Sequence, residues 1–224
     1  MKKPYLLIIT VILCLVLTDS MSLAKDSDTE TIGACEQAAR KNPDDATAHF
    51  NLAVAYLKSA MYQDSIESFK QAIRIDPDNG KAHKTLGYVY LNLYMNKDAI
   101  ESLKQVLRIN PDATAHYNLG FVYGRAGMYK EAIEVYKRAI FINTGYINAY
   151  NNLGNAYGEL GMYKEAIEVL KVAIMRDPDH AMSYYNLGLF YNSSNDKDSA
   201  VEQYKILESL DFELSDKLFR LIKK

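Results

Sequence analysis

The sequence predicts an all-α protein in which about five helix–turn–helix repeats stack as a solenoid, and three observations support this prediction. A nearly identical stretch occurs twice, as GRAGMYKEAIEVYKRAI at 124–140 and as GELGMYKEAIEVLKVAI at 158–174. A Leu followed by a small residue recurs at intervals of 33 or 34 residues. Within each interval, the apolar residues follow the period of an α-helix.

The first 24 residues have the layout of a secretory signal peptide. Two lysines precede an apolar run from Leu6 to Leu17, and the small residues Ser22 and Ala24 lie just before an expected cleavage site after Ala24. The apolar run is too short to span a bilayer comfortably. We therefore expect an exported protein, periplasmic or secreted, with no membrane insertion after cleavage. The alternative is an uncleaved N-terminal anchor.

Charge and cysteine content limit the function further. The 224 residues carry a formal net charge of −2, so the chain lacks the basic field that attracts nucleic acid. Removal of residues 1–24 leaves Cys35 alone, which excludes an internal disulfide and a cysteine-based metal site. A disulfide-linked dimer through Cys35 stays open, and the oligomeric state is not predicted.

Residues 25–45 are predicted to form a linker and a lone second helix, a half-repeat with Cys35 and Ala38 facing the core. The five repeats follow at 46–79, 80–112, 113–146, 147–180 and 181–214, and the second is one residue short. Their Leu-small pairs are Leu52-Ala53, Leu86-Gly87, Leu119-Gly120, Leu153-Gly154 and Leu187-Gly188.

Each repeat carries signals that begin and end its helices. Gly127 and Gly161 separate the two helices of the third and fourth repeats. A proline stops the second helix, and the aspartate after it is expected to cap the next helix. These Pro-Asp pairs are Pro43-Asp44, Pro77-Asp78, Pro111-Asp112 and Pro178-Asp179. Residues 215–224 are predicted to form a capping helix, with Leu218 and Ile222 on its apolar face.

Each repeat has Leu followed by a small residue, then Tyr four residues after the Leu, and a later small residue that is usually Ala. With a period of 34 residues and a Pro at the end of most repeats, this order resembles the tetratricopeptide repeat, of an exported bacterial type. Histidine or tyrosine occupies the tryptophan position of the family pattern, as His49, His83, His116, Tyr150 and Tyr184. The resemblance implies a right-handed superhelix whose first helices line a concave groove. It also implies a protein-interaction function.

The groove positions predict a peptide-binding surface. A row of asparagines precedes the core leucines, and a carboxamide can pair with both polar groups of a peptide backbone. Aromatic residues beside this row are typical interface anchors. The alternative is that the asparagines satisfy polar groups of the neighbouring repeat. The candidate binding residues are Asn51, Asn118, Asn152, Asn186, Phe50, Lys84, Tyr117, Phe121, Asn151, Asn155 and Tyr185.

The sequence contains no pattern typical of an enzyme. His49, His83 and His116 share one position of the repeat and are not expected to converge on a metal ion. No phosphate-binding glycine loop and no nucleophile elbow occur. We therefore predict no catalytic residue, no metal and no cofactor.

The predicted function is a protein-interaction scaffold that binds a peptide segment of an unidentified partner. A clamp for a C-terminal carboxylate is not expected, because Tyr88 stands where the family's clamp has asparagine. The alternative is a structural assembly factor of a cell-envelope complex, such as a pilus, secretion or outer-membrane biogenesis system. It would use its convex face or its end caps.

Overall fold

The structure, a computed structural model, describes residues 29–223. These residues form twelve α-helices and no strand, as the sequence predicts. The predicted signal peptide lies outside the described residues, as does the start of the 25–45 segment. The chain divides into two compact units with a boundary between Val89 and Tyr90.

The first unit contains α1 (29–41), α2 (Ala46–Lys58), α3 (Tyr62–Ile75) and most of α4 (Gly80–Asn92). Helices α2 and α3 pack against each other as an antiparallel pair. Phe69 is fully buried and meets the ring of Phe50 edge-on, with 5.6 Å between the ring centroids. Ser65, also buried, donates a hydrogen bond to the carbonyl of Ala53 at 2.8 Å, which joins the two helices.

The second unit contains the end of α4 and eight further helices. Successive helices among these eight pack against each other, and α8 also contacts α6 and α10. This order is that of a helix-pair solenoid. The eight are α5 (Asn96–Ile109), α6 (Ala113–Arg125), α7 (Tyr129–Ile142), α8 (Ile147–Glu159), α9 (Tyr163–Arg176), α10 (Ala181–Ser193), α11 (Lys197–Leu210) and α12 (Phe212–Ile222).

The glycine of each Leu-Gly pair in this unit lies under a large side chain of a neighbouring helix. A Cβ atom added to Gly120 would lie 2.6 Å from the ring of Tyr136. The corresponding contacts are Leu170 at 2.9 Å from Gly154 and Leu218 at 2.4 Å from Gly188. Distances this short are repulsive, so the helices can approach this closely only because these positions lack a side chain.

The turn between the two helices of a repeat requires a left-handed residue at one fixed position. Gly127 and Gly161 adopt φ of +74° and +73° there, which confirms their predicted role. Ala60, Tyr94 and Asn195 take the same conformation in the other repeats, with φ between +57° and +65°. The shape of the turn is therefore kept even where the residue is unfavourable.

Most helix caps lie one residue later than predicted. Asp45 and Asn79 accept hydrogen bonds from the first turns of α2 and α4, and His180 precedes α10 without a side-chain cap. The predicted caps at Asp44, Asp78 and Asp179 are therefore wrong. Asp112 does cap α6, accepting from the amide of Ala115 at 2.7 Å. The turn before α6 is one residue shorter, which moves the capping position next to the proline.

The shorter turn also changes the aromatic position of the third repeat. His49 and His83 bond through Nε2 to the carbonyls of Pro43 and Pro77, both at 3.1 Å and six residues earlier. His116 follows the short turn, and its Nδ1 is buried without a hydrogen-bond partner among the described residues. Burial, followed by the charge of Arg138, lowers the pKa of His116.

The two ends of the described chain differ from the prediction in detail. Cys35 is half-buried and packs against Ala39 and Leu52, but Ala38 is exposed. The core position predicted for Ala38 is wrong, because no helix precedes α1 within the described residues to cover the side of α1 that carries Ala38. Helix α12 begins at Phe212 rather than at residue 215, because Asp211 caps it.

The apolar face of α12 is as predicted, with Leu218 and Ile222 buried. Within residues 29–223, no helix combines the length and the hydropathy that crossing a bilayer requires.

We predict that H116F reduces the acid sensitivity of the fold. The folded pKa of His116 is lower than its unfolded value of 6.5, so the unfolded state binds more protons below that pH. The resulting stability is fully present above the unfolded pKa and is lost as the pH falls toward the folded pKa. Urea unfolding at about pH 7.5 and about pH 5.5 measures the difference.

The matched variant H83F removes a histidine that has a carbonyl partner. We expect H83F to lower the free energy of unfolding by about 1 kcal/mol at neutral pH, whereas H116F leaves it unchanged or raises it. If H116F and the wild type lose the same free energy of unfolding between the two pH values, His116 is not a source of the acid sensitivity.

Candidate functional site: a pocket between the third and fourth repeats

The second unit contains a pocket of about 250 Å³ at the junction of the third and fourth repeats. Helices α6 and α8 form two of its walls, and α7 forms the third. Three of the predicted groove residues, Phe121, Asn152 and Asn155, line it together. The other lining residues are Gly124, Arg125, Tyr129, Tyr136, Ala156 and Glu159.

This pocket is open because two neighbouring positions carry small residues. At the junction of the fourth and fifth repeats, the position equivalent to Ala156 holds Phe190. The ring of Phe190 lies over Gly158, and a Cβ atom added to Gly158 would be 2.1 Å from that ring. In the preceding repeat, the position equivalent to Gly124 holds Leu91, which is buried. Ala156 and Gly124 leave the corresponding volume unfilled.

The mouth of the pocket carries one cation and one anion. Arg125 is exposed at the end of α6 and takes part in no ion pair within residues 29–223. Glu159, at the end of α8, lies near the hydroxyl of Tyr129, and its negative charge raises the pKa of that tyrosine. The guanidinium of Arg125 is therefore a cation at the mouth that no carboxylate of the described residues pairs with.

A cluster of tyrosines lies beneath the pocket. Tyr117 stacks on Tyr146 with 4.8 Å between centroids and packs against the buried Tyr136 at 5.9 Å. The carboxamide of Asn152 donates to the hydroxyl of Tyr117 at 3.2 Å. Burial raises the pKa values of Tyr117 and Tyr136, so both phenols are neutral at physiological pH. The cluster provides an uncharged floor.

The carboxamides of Asn151 and Asn186 belong to a buried network between α8 and α10. Asn186 donates to Oδ1 of Asn151 at 3.3 Å, and Asn151 donates to the hydroxyl of Ser183 at 2.9 Å. Nδ1 of His180 lies 3.0 Å from the same hydroxyl. These two asparagines therefore satisfy polar groups of the neighbouring repeat.

The remaining candidate residues are distributed over both units. In the second unit, Asn118 is buried at 6% exposure and Tyr185 is half-buried, and neither lines the pocket. In the first unit, Asn51 and Lys84 are exposed, while Phe50 packs on Phe69.

Sequence reasoning missed the residues that make the pocket a cavity. Gly124 and Ala156 each fit a helical pattern, as do Arg125, Tyr129 and Glu159, so none of them stands out singly. A signal was present in the column that contains Val122, Ala156 and Phe190, where a small residue is followed by a large aromatic one in the next repeat. Comparing repeats position by position would have identified this junction.

The described residues also include no group of three His, Cys, Asp or Glu side chains arranged to hold a metal ion. The pocket offers carboxamides, one guanidinium and one carboxylate around an aromatic floor. The pocket therefore combines polar groups at its mouth with an apolar, aromatic base.

The repeats of this chain match known families and structures. Family models described as tetratricopeptide repeat match residues 46–79, 81–112, 112–176 and 151–211. No curated protein matches the sequence.

Among solved structures, a crystal structure of MamA is 30% identical with a TM-score of 0.66, and the match covers 73% of this chain and 90% of MamA. YrrB, described as a TPR protein with an unusual peptide-binding site, is 24% identical with a TM-score of 0.66, covering 84% and 98%. PilF of Pseudomonas aeruginosa is 17% identical with a TM-score of 0.66, covering 88% and 91%. At these identities, YrrB and PilF show likeness of fold alone.

We predict that N186A destabilises the protein more than N152A. Asn186 is buried and its loss leaves Oδ1 of Asn151 without this donor, at a cost of about 1–3 kcal/mol. Asn152 is half-buried, and its loss is expected to cost less than about 1 kcal/mol. Urea unfolding of both variants measures the difference, and equal losses would contradict the structural role of Asn186.

Proposed function

Because the chain belongs to the tetratricopeptide repeat family, we propose that it is a non-enzymatic scaffold that binds an extended segment of a partner protein across α6 and α8. Tetratricopeptide repeats are typically non-catalytic modules of protein–protein interaction. The observation that carries the proposal for this chain is the pocket between these two helices, which contains three residues predicted from the sequence.

The chemistry of the pocket supports binding of a polypeptide. Asn152 and Asn155 present carboxamides, and each of these groups can accept from a backbone amide and donate to a backbone carbonyl. Phe121 and Tyr136 provide apolar area for a side chain of the bound segment. Backbone pairing with side-chain burial is the usual combination in peptide recognition.

The polar groups of the pocket are suited to positioning a ligand rather than to catalysis. The negative charge of Glu159 raises the pKa of Tyr129, and burial raises the pKa values of Tyr117 and Tyr136, which keeps all three phenols protonated. Among the residues that line the pocket, no Ser, Thr, Cys or Lys is present to act as a nucleophile beside a base.

We also propose that the protein acts outside the cytoplasm. The charged start, the apolar run and the small residues before position 25 support export.

One observation favours the second candidate, a structural assembly factor of an envelope complex. Phe141 on α7 and Met175 on α9 stand at equivalent positions of successive repeats and are 76% and 74% exposed. Two large apolar side chains exposed at repeat spacing are suited to a permanent contact on the face formed by the second helices.

We predict that a photo-crosslinking residue in place of Asn155 captures the partner in intact cells. Introducing N152A into that variant should lower the crosslinked yield about fivefold, because one hydrogen bond to the bound segment is lost. Mass spectrometry identifies the adduct, and circular dichroism verifies that the fold is retained.

The control variant carries the photo-crosslinking residue in place of Phe141 instead of Asn155. Strong capture at 141 with none at 155 would contradict groove binding and support the assembly factor.

We predict that the mature protein begins at Lys25. Mass spectrometry of the protein purified from the cell envelope should give a chain that lacks residues 1–24. The cleavage-site variant A24D places a charge where signal peptides carry a small residue, so it should leave the precursor uncut. An intact N-terminus in the native protein would support the anchored alternative.

A further inference from the structure

Successive junctions of the second unit provide an internal comparison of a filled and an unfilled site. At the junction of the fourth and fifth repeats, Phe190 lies on Gly158 and stacks beside Tyr163, with 6.2 Å between centroids and an interplanar angle of 24°. At the junction of the third and fourth repeats, the equivalent positions are Ala156, Gly124 and Tyr129, and all three line the pocket. The chain itself therefore shows which group fits there.

We propose that the pocket binds an aromatic side chain of the partner segment, next to an acidic residue of that segment. This inference rests on the proposed peptide-binding function and specifies its ligand. The ring of the bound segment takes the place that Phe190 takes in the next junction. A glycine supports one face of the ring, and a tyrosine lies beside it.

The packing around the pocket favours a ring over an aliphatic chain. A Cβ atom added to Gly124 would meet only the hydroxyl of Tyr136, at 3.8 Å, so the backbone there is open to a flat group. Tyr129 and Phe121 flank the opening and can meet a ring in the offset or edge-on arrangements that aromatic pairs prefer. Aromatic residues seated in such pockets commonly supply most of the binding energy of an interface.

Charge complementarity places the acidic residue. Arg125 is exposed and has no ion pair within the described residues, whereas Glu159 lies near the hydroxyl of Tyr129. A carboxylate beside the aromatic residue would pair with this guanidinium, which forms two parallel hydrogen bonds with such a group. A basic residue at that position would be repelled.

Selection from random peptides displayed on phage tests the proposal with the full chain as the target. We expect the enriched peptides to carry Phe, Tyr or Trp next to Asp or Glu. A fluorescent copy of the strongest peptide is then titrated, together with copies in which Leu replaces the aromatic residue or Lys replaces the acidic one. The Leu copy should bind roughly 30-fold more weakly, as for a lost anchor residue.

Two variants of the protein locate the binding. A156F supplies the pocket with its own ring, as Phe190 does in the next junction, and should abolish binding while the protein stays folded. R125E should weaken binding of the acidic peptide by about threefold and improve binding of the Lys copy. The matched variant K164E changes an exposed lysine on α9 outside the pocket and should bind like the wild type.

The outcomes separate this inference from the proposed function. Enriched peptides without an aromatic residue, or binding that A156F leaves unchanged, would overturn the inference and leave peptide binding in place. The absence of any enriched peptide would overturn both. Self-association that is lost in F212A would also overturn the inference, because Phe212, 79% exposed between Asp211 and Glu213, offers the same chemistry from a second copy.

Discussion

The close approach of neighbouring helices at the Leu-Gly positions is the constraint on which the second unit depends. Gly120, Gly154 and Gly188 each lie against the large side chain of another helix, at distances that exclude a Cβ atom. These contacts fix the separation of the two helices that each of them joins. The pocket exists because α6 is held close to α7 while the side chains that face α8 at this junction are small.

The asparagines of the first helices serve two purposes that one sequence pattern cannot separate. Asn151 and Asn186 pair with each other across two repeats and are buried. Asn152 bonds to Tyr117 at the edge of the pocket, and Asn155 lines it. A carboxamide that is already paired inside the core contributes rigidity, whereas one at the edge retains groups for a ligand. Under the proposed function, rigidity of the wall and affinity for the bound segment thus come from neighbouring residues of the same helix.

The helices could be predicted from the sequence because period and small residues specify them directly. The caps could not be placed, since the shift from Asp44 to Asp45 depends on the length of the turn. The exposure of Ala38 follows from the lack of a covering helix before α1 in the described part of the chain, which no local pattern reveals. The pocket escaped prediction because it is a difference between Ala156 and Phe190, and each residue alone is compatible with its helix.

The relation between Ala156 and Phe190 has a consequence for how such chains diversify. Duplication supplies junctions that start alike, and each junction packs only against its neighbours. A single large-to-small change can then create a recognition cavity at one junction without disturbing the others, and the reverse change can close it. Specificity in a chain of this kind can evolve one junction at a time, with selection acting on the width of a gap rather than on the whole fold.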